Sequence, residues 1–417
     1  MSEAYMHRQQ MAPGIYWVGI VDWTVRLFHG YHTDEGSSYN AYFIDDECPT
    51  VIDSVKPPFA DEWLERIAAH CPLDKVKYVV MNHAEGDHAG SLKNHYQKFT
   101  NATFVCRQKC KEHLELLYGM KDAKWEIVDE KSTLSIGKRT LKFIPVPLLH
   151  WPESTFTYCP EEKVLFSNDG FGQHYATSNR WADECDIQHV MLLFREYTAN
   201  ILGMFGAQMR AALDAASKLE IKYILTAHGV SWRGDSIAVA IKEYSDWAHK
   251  RHCRKKVTLV VDSMYGTTHR AALALMEGVQ SVGCETVLLE MTSSDITKVA
   301  LHTYDSSGVV FASPTLNNTC MPTISAALNY VRGLTLIRGK PAYALGAYGW
   351  SNRAVPDIFK ELEEGCKADV YDKKGLTFKF NYNDEILAEA HRQGVILGKK
   401  AIEFYEKQFE SKQVEGK

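Results

Sequence analysis

Residues 83–90 read His-Ala-Glu-Gly-Asp-His-Ala-Gly, and this run constrains the fold more than any other stretch of the chain. His83, Glu85, Asp87 and His88 put four potential metal ligands within six residues, directly after a strand-like stretch, Val76–Asn82. Two imidazoles and two carboxylates exceed what one small cation takes, which points to two metals. The carboxylates favour harder cations than a site of His and Cys alone. Three later segments repeat the pattern of an apolar strand ending in a ligand: 141–149 runs into His150, 163–168 into Asp169, and 223–227 into His228. A lone His or Asp at a strand end is ordinarily a turn or a cap. Four such ends in series are best explained by strands that deliver their donors to one rigid sheet edge.

The order His-x-Glu-x-Asp-His, then His, Asp and His, resembles the metallo-β-lactamase fold in its di-iron variant, the flavodiiron proteins. Zinc hydrolases of this fold usually carry His where this chain has Glu85. Exchanging an imidazole for a carboxylate adds negative charge and hard oxygen, which favours iron over zinc. The match extends through 28–31, 149–153, 167–173 and 195–197 and covers nearly the whole chain. The resemblance implies two non-haem irons per chain, oxo- or hydroxo-bridged. His83, Glu85 and His150 would hold one iron, Asp87 and His228 the other, and Asp169 would bridge. His88 is left outside this set, because in the family its counterpart is often displaced and replaced by solvent. His29, His174 and Tyr197 match positions near the substrate pocket, where they would donate protons or hydrogen bonds. Each also reads as an ordinary buried polar group.

A fresh rhythm of short strands and helices begins near residue 255. Lys256–Val261 is a buried-strand pattern, a helical run follows at 271–279, and further strands read at 285–289, 308–312 and 342–346. Upstream, helices read at 184–218 and about 235–249. The fold class is therefore α/β, with domains at 1–252 and 256–408. By the resemblance these are an N-terminal metallo-β-lactamase-like αβ/βα sandwich and a C-terminal flavodoxin-like doubly wound parallel sheet.

The first loop of the second domain holds Ser263, Met264, Tyr265, Gly266, Thr267 and Thr268. Hydroxyls, free amides and a helix N-terminus suit a phosphate dianion. The loop has neither GxxxxGK nor GxGxxG, which disfavours a nucleoside triphosphate or a dinucleotide. Two further strand-end loops follow: Ser313, Pro314, Thr315, Asn317, Asn318 and Thr319, then Ala347, Tyr348, Gly349 and Trp350. By the flavodoxin resemblance the first loop holds the FMN phosphate and the other two flank the flavin ring, with Trp350 the best candidate to stack on it.

At 417 residues and 45% apolar content the chain can bury two large cores; its net charge is -5, and its basic residues form no nucleic-acid patch. No apolar stretch is long enough for a membrane span and the N-terminus shows no signal core, so a cytoplasmic location is expected. The ten cysteines form no CxxC pair, so no rubredoxin-type iron site is fused to the chain. Cys106 and Cys110 stand four apart, a weak metal hint that reads better as two ordinary thiols.

Together the halves imply one oxidoreductase. FMN would pass electrons to the di-iron site, and that site would reduce dioxygen to water, nitric oxide to nitrous oxide, or both. The resemblance implies a separate electron donor of the rubredoxin kind and a head-to-tail homodimer or dimer of dimers, the flavin of one subunit facing the irons of its partner. Two other readings stand beside it. One is a metal-dependent hydrolase of the lactamase fold with an accessory flavodoxin-like domain; the other is an electron carrier whose metal domain is only scaffold.

Overall fold

The computed structural model describes residues 9–415; the first eight residues, where the sequence shows no signal core, lie outside that range. The chain forms two compact units. The first ends at Tyr197, resumes at Phe205 and closes at Ala248, while the second takes Thr198–Met204 and resumes at His249.

Two mixed sheets face each other in the first unit. One runs Gln10–Ala12, Ile15–Trp17, Tyr42–Ile44, Thr50–Ile52, Tyr78–Val80, Thr103–Cys106 and Trp125–Ile127. The other runs Thr133–Ser135, Thr140–Pro145, Thr155–Cys159, Val164–Asn168, Tyr223–Thr226 and Trp232–Arg233. Period-two alternation turns Ile15, Trp17, Tyr42, Ile44 and Val80 of the first sheet onto Leu141, Phe143, Val164, Phe166 and Leu225 of the second, and that layer is the core. The strand Thr140–Pro145 reaches Val164–Asn168 through two antiparallel pairings, and Val164–Asn168 is parallel to Tyr223–Thr226. Three strands of one sheet therefore end on one edge, each a few residues before His150, Asp169 or His228.

The sequence reads one helix over 184–218, but the structure breaks it. Ile187–Tyr197 is α-helical, Thr198–Leu202 widens into a π turn, and the helix restarts at Gly206–Ala216. The break falls where Thr198–Met204 leaves one unit for the other; there the Asn200 amide reaches the Thr297 carbonyl at 3.4 Å and accepts from Tyr330 Oη at 2.9 Å.

The second unit is a parallel sheet in the order Glu285–Glu290, Arg254–Val261, Ser306–Ala312, Pro341–Tyr348, with Asp369–Val370 and Leu376–Lys379 both pairing to the last. This 2-1-3-4-5 order is flavodoxin-like and places its ligand crevice beyond the strands' carboxyl ends. The longest helix, Asp384–Glu415, lies against Thr267–Gln280 with their backbones nearly touching. A Cβ at Gly278 would sit 2.0 Å from the His391 carbonyl oxygen, and one at Gly394 would sit 1.9 Å from that of Leu275. Only glycine permits this approach. Among the described residues no helix is long and apolar enough to cross a membrane.

Candidate functional site

The strand Tyr78–Val80 ends in a loop and a one-turn helix, Gly86–Ala89, that aim His83, Glu85, Asp87 and His88 at the ends of the second sheet. Two groups of donors result: His83, Glu85, His150 and Asp169, and then Asp87, His88 and His228. Within each group the ligand atoms lie within 4.8 Å of one another. Asp169 belongs to both neighbourhoods. Its Oδ2 is 3.5 Å from Nε2 of His83 and of His150, while its Oδ1 is 3.1 Å from Nε2 of His88 and 3.5 Å from Nε2 of His228. Glu85 Oε2 lies 3.2 and 3.1 Å from His83 and His150, and Asp87 Oδ2 lies 3.1 Å from His228. The six ligands expected from sequence are thus together. His88, left out of that set, is buried with its Nε2 turned inward.

The donor set fits two cations. Asp87 Oδ1, His88 Nε2 and Asp169 Oδ2 are buried without a hydrogen-bond partner, a costly state for polar atoms that a metal would relieve. Three carboxylates would offset most of the charge of two divalent ions. Burial alone would raise the carboxylates and lower the imidazoles. Mutual pairing outweighs it: hydrogen bonds from His150 and His83 hold Glu85 at about 2, and Asp169 and Asp87 lift His228 to about 10.

Residues that sequence reasoning missed hold these ligands in place. Glu153, fully buried, accepts from His83 Nδ1 at 2.8 Å and from the Ala84 amide at 3.2 Å; its other oxygen is 3.3 Å from His113 Nδ1. His228 Nδ1 donates to the Ser38 carbonyl at 2.7 Å. Both bonds fix the tautomer and leave Nε2 for a metal. Asp53 accepts from the Asn82 amide at 2.7 Å and the Asn82 and Asn168 side chains at 3.0 and 3.4 Å, tying together the roots of the His83 and Asp169 loops. Asp53, Leu148, Asn168 and His29 all adopt left-handed backbone, and such strain gathers where a site is over-determined. The signal for Asp53 was present in the sequence: Val51-Ile52-Asp53 is another strand ending in an acid.

The three expected pocket residues fall into different places. Tyr197 Oη donates to Asp169 Oδ1 at 3.1 Å. His174 is enclosed between Phe28, Tyr197 and His228, with its ring nitrogens 2.8 Å from Tyr31 Oη and 2.7 Å from Ser37 Oγ. Burial first, then the neighbouring His228, holds it well below the usual histidine range, so it is neutral. His29 stands at the solvent edge, half exposed, with Nδ1 3.3 Å from Glu85 Oε1.

In the second unit a cavity of about 510 Å³ opens at the strand ends, a size typical of cofactor sites. Met264, Tyr265, Thr267, Pro314, Thr315, Asn317, Asn318, Ala347, Tyr348, Gly349 and Trp350 line it, with Leu316 and Ser351 of the same loops and Phe380, which lies outside them. Trp350 is 90% exposed and Tyr265 87%. Ser263 and Gly266 border a smaller cavity of about 230 Å³ instead. Thr268, Ser313 and Thr319 line neither: Thr268 Oγ1 accepts from the Ala347 amide, Ser313 Oγ from the Met321 amide, and Thr319 closes a small loop onto Leu316. The phosphate cradle still fits an anion. Gly266 caps the helix Thr267–Gln280 with φ +76° and no side chain on its first amides, and Ser263 Oγ has no partner.

This fold and site define a class: a two-metal centre on a lactamase-like sandwich, followed by a flavodoxin-like domain. Comparison with known proteins agrees. The family model described as ODP family beta lactamase matches residues 38–229. The nitric oxide reductase of Moorella thermoacetica is 37% identical over 385 residues, covering 91% of this chain and 96% of that protein. The crystal structure of the flavodiiron protein from Giardia intestinalis is 77% identical, covers 96% of this chain and 98% of its own, and superposes with a TM-score of 0.95. The rubredoxin oxygen:oxidoreductase of Desulfovibrio gigas is 29% identical, covers 95% and 98%, and superposes at 0.90. The chain belongs to the flavodiiron protein family.

Proposed function

We propose that this chain is an oxidoreductase that passes electrons from FMN to a non-haem di-iron centre and reduces dioxygen, nitric oxide or both. The observation that carries the reading is Asp169, whose two oxygens face two separate ligand groups. The names of the relatives, a nitric oxide reductase and a rubredoxin oxygen:oxidoreductase, support it and disfavour the hydrolase alternative. In this reading His83, Glu85 and His150 would hold one iron and Asp87, His88 and His228 the other, with Asp169 shared between them. Two ferrous ions would supply electrons and open positions for a diatomic gas. The chain's residues do the rest. Glu153 and Ser38 aim His83 and His228. Tyr197 restrains the bridging carboxylate. Neutral His174, locked by Tyr31 and Ser37, presents a fixed polar wall. His29 is the proton-exchanging group at the solvent edge.

FMN would sit with its phosphate on the Ser263–Thr268 loop and its ring beside Trp350 and Tyr348. The donor is a separate protein of the rubredoxin kind, as the Desulfovibrio relative's name suggests. Ten free cysteines suit a reducing, cytoplasmic setting. A head-to-tail homodimer is supported by exposed apolar side chains on each unit: Met264, Tyr265, Trp350 and Phe380 around the cavity, and Leu27 and Leu148 beside His29 and His150. Stopped-flow mixing of the fully reduced protein with each gas tests the function. Reoxidation of neither iron nor flavin within seconds by either gas overturns it. A mixed dimer with Asp169→Ala in one subunit and Thr267→Glu in the other tests the assembly: retained activity supports wiring between chains, and none refutes it.

A further inference from the structure

The helix Gln108–Tyr118 sends one polar side chain towards the metal centre from outside it. Cys110 and Leu114 form the buried stripe of this helix, and His113 stands on the flank of that stripe. The His113 side chain is 26% exposed, yet its Nδ1 is buried and lies 3.3 Å from Glu153 Oε2. Neither of these atoms has a hydrogen-bond partner elsewhere among the described residues. Trp151 sets the pose of the ring. Its centroid lies 6.0 Å from that of His113, at 79°, and 5.1 Å from that of His83, at 83°, so one indole packs against both imidazoles. Glu153 makes the polar link between the same two rings. Its Oε1 accepts from His83 Nδ1 at 2.8 Å and from the Ala84 amide at 3.2 Å, while Oε2 faces His113.

We propose that His113 is a positioning residue for the metal centre: its Nδ1–H donates to Glu153 Oε2 and so holds Oε1 on His83. The inference rests on the di-iron reading above. A buried carboxylate oxygen left without a donor is costly, and so is a buried ring nitrogen left without a partner. These two face each other, and one bond satisfies both. Nδ1 carries a hydrogen in one neutral tautomer and in the protonated ring, and either form donates. The other tautomer would set a lone pair against the carboxylate. Glu153 therefore selects the hydrogen position in two rings at once: on Nδ1 of His83, which leaves Nε2 for a metal, and on Nδ1 of His113. Without the His113 donor the carboxylate turns. Oε2 seeks water through the space at the exposed flank, and Oε1 swings off His83 as it does. The ligand loses its aim while Glu153 keeps its charge. His113 has no polar contact with a ligand among the described residues, so its effect passes through Glu153.

The test is competition for iron. Reduced holoprotein is titrated anaerobically with a ferrous chelator, and the affinity of each iron is read without any gas being turned over. His113→Leu and His113→Asn have nearly the same shape, but Asn keeps an N–H donor at the same point along the side chain as Nδ1. The Leu variant should hold one iron about fivefold less tightly, a smaller loss than when a residue touching a ligand is removed, and the Asn variant should stay within about twofold of wild type. In a Glu153→Ala background nothing is left for His113 to hold, so His113→Leu should add less than about twofold there. Wild-type affinity in the Leu variant overturns the proposal. Equal losses for Leu and Asn overturn it too, since packing on Trp151 would then account for both. An undiminished loss in the Glu153→Ala background overturns the route through Glu153. Wild type that holds no iron would overturn the di-iron reading and this proposal with it, whereas failure among the variants leaves that reading standing.

Discussion

Replacing Glu153 by Gln removes one negative charge beneath His83 and little else. Glu153 Oε1 accepts from His83 Nδ1 at 2.8 Å, and both side chains are fully buried. A hydrogen bond to a charged group contributes about 1.5–3 kcal/mol, and a neutral one roughly half as much. The amide oxygen of Gln can still accept from Nδ1, so the loss is about 1–1.5 kcal/mol, or roughly fivefold to tenfold in affinity at that site. Glu153→Ala goes further. It strands His83 Nδ1 and the Ala84 amide in the core, each at about 1–3 kcal/mol. Iron affinity there should fall roughly 100-fold or more, with a lower Tm. The assay is anaerobic titration with Fe(II) against a competing chelator, with metal counted per chain. A Gln variant that binds iron as tightly as wild type refutes the charge argument. Equal losses for Gln and Ala would show that the charge, not the shape of the acceptor, sets His83.

Four further outcomes are expected. Glu85→His should lower iron occupancy and shift preference towards zinc, since imidazole replaces a hard anionic donor; unchanged iron content with full turnover would remove Glu85 from the ligand set. His88→Asn should reduce metal content from two irons per chain towards one, and two retained irons would show that its inward Nε2 is not a ligand. Trp350→Ala should weaken FMN binding roughly tenfold and leave iron content unchanged, read from flavin absorbance and metal analysis on the same sample. In the iron-free protein, burial opposes protonation of His228, but Asp169 and Asp87 raise it to about 10. This folded value lies above the unfolded one, so the pairing stabilises the apoprotein fully below about pH 6.5 and is lost as pH climbs towards 10. Iron must displace that proton, so binding should release protons at pH 7 and tighten with rising pH. Calorimetry in buffers of different ionisation enthalpy that detects no proton release would contradict this.

The candidate ligands were legible because chemistry compresses them: His83, Glu85 and Asp87 crowd one loop, and each later candidate ends an apolar strand. The supporting residues were harder to see. Glu153 and Asp53 are single acids whose purpose depends on what folds beside them. The inward turn of His88 is a side-chain orientation, which spacing does not encode. In the second unit the hydroxyls of Thr268 and Ser313 accept from backbone amides and line neither cavity, which residue type alone does not encode. Phe380 lined the cavity unseen, since it comes from a strand end far along the chain. The apolar periodicity of 184–218 runs on through a break imposed by tertiary packing of Thr198–Met204.

The glycine contact between Thr267–Gln280 and Asp384–Glu415 also bears on the order of synthesis. Gly278 and Gly394 offer no side chains through which a partial interface could form, so the two helices seat backbone to backbone or not at all. The helix that opens at the phosphate loop is made early in its domain, and its partner is made late in it. Such distant pairing closes late. A nascent chain therefore carries all its candidate metal ligands before the helix behind its flavin loop gains its support.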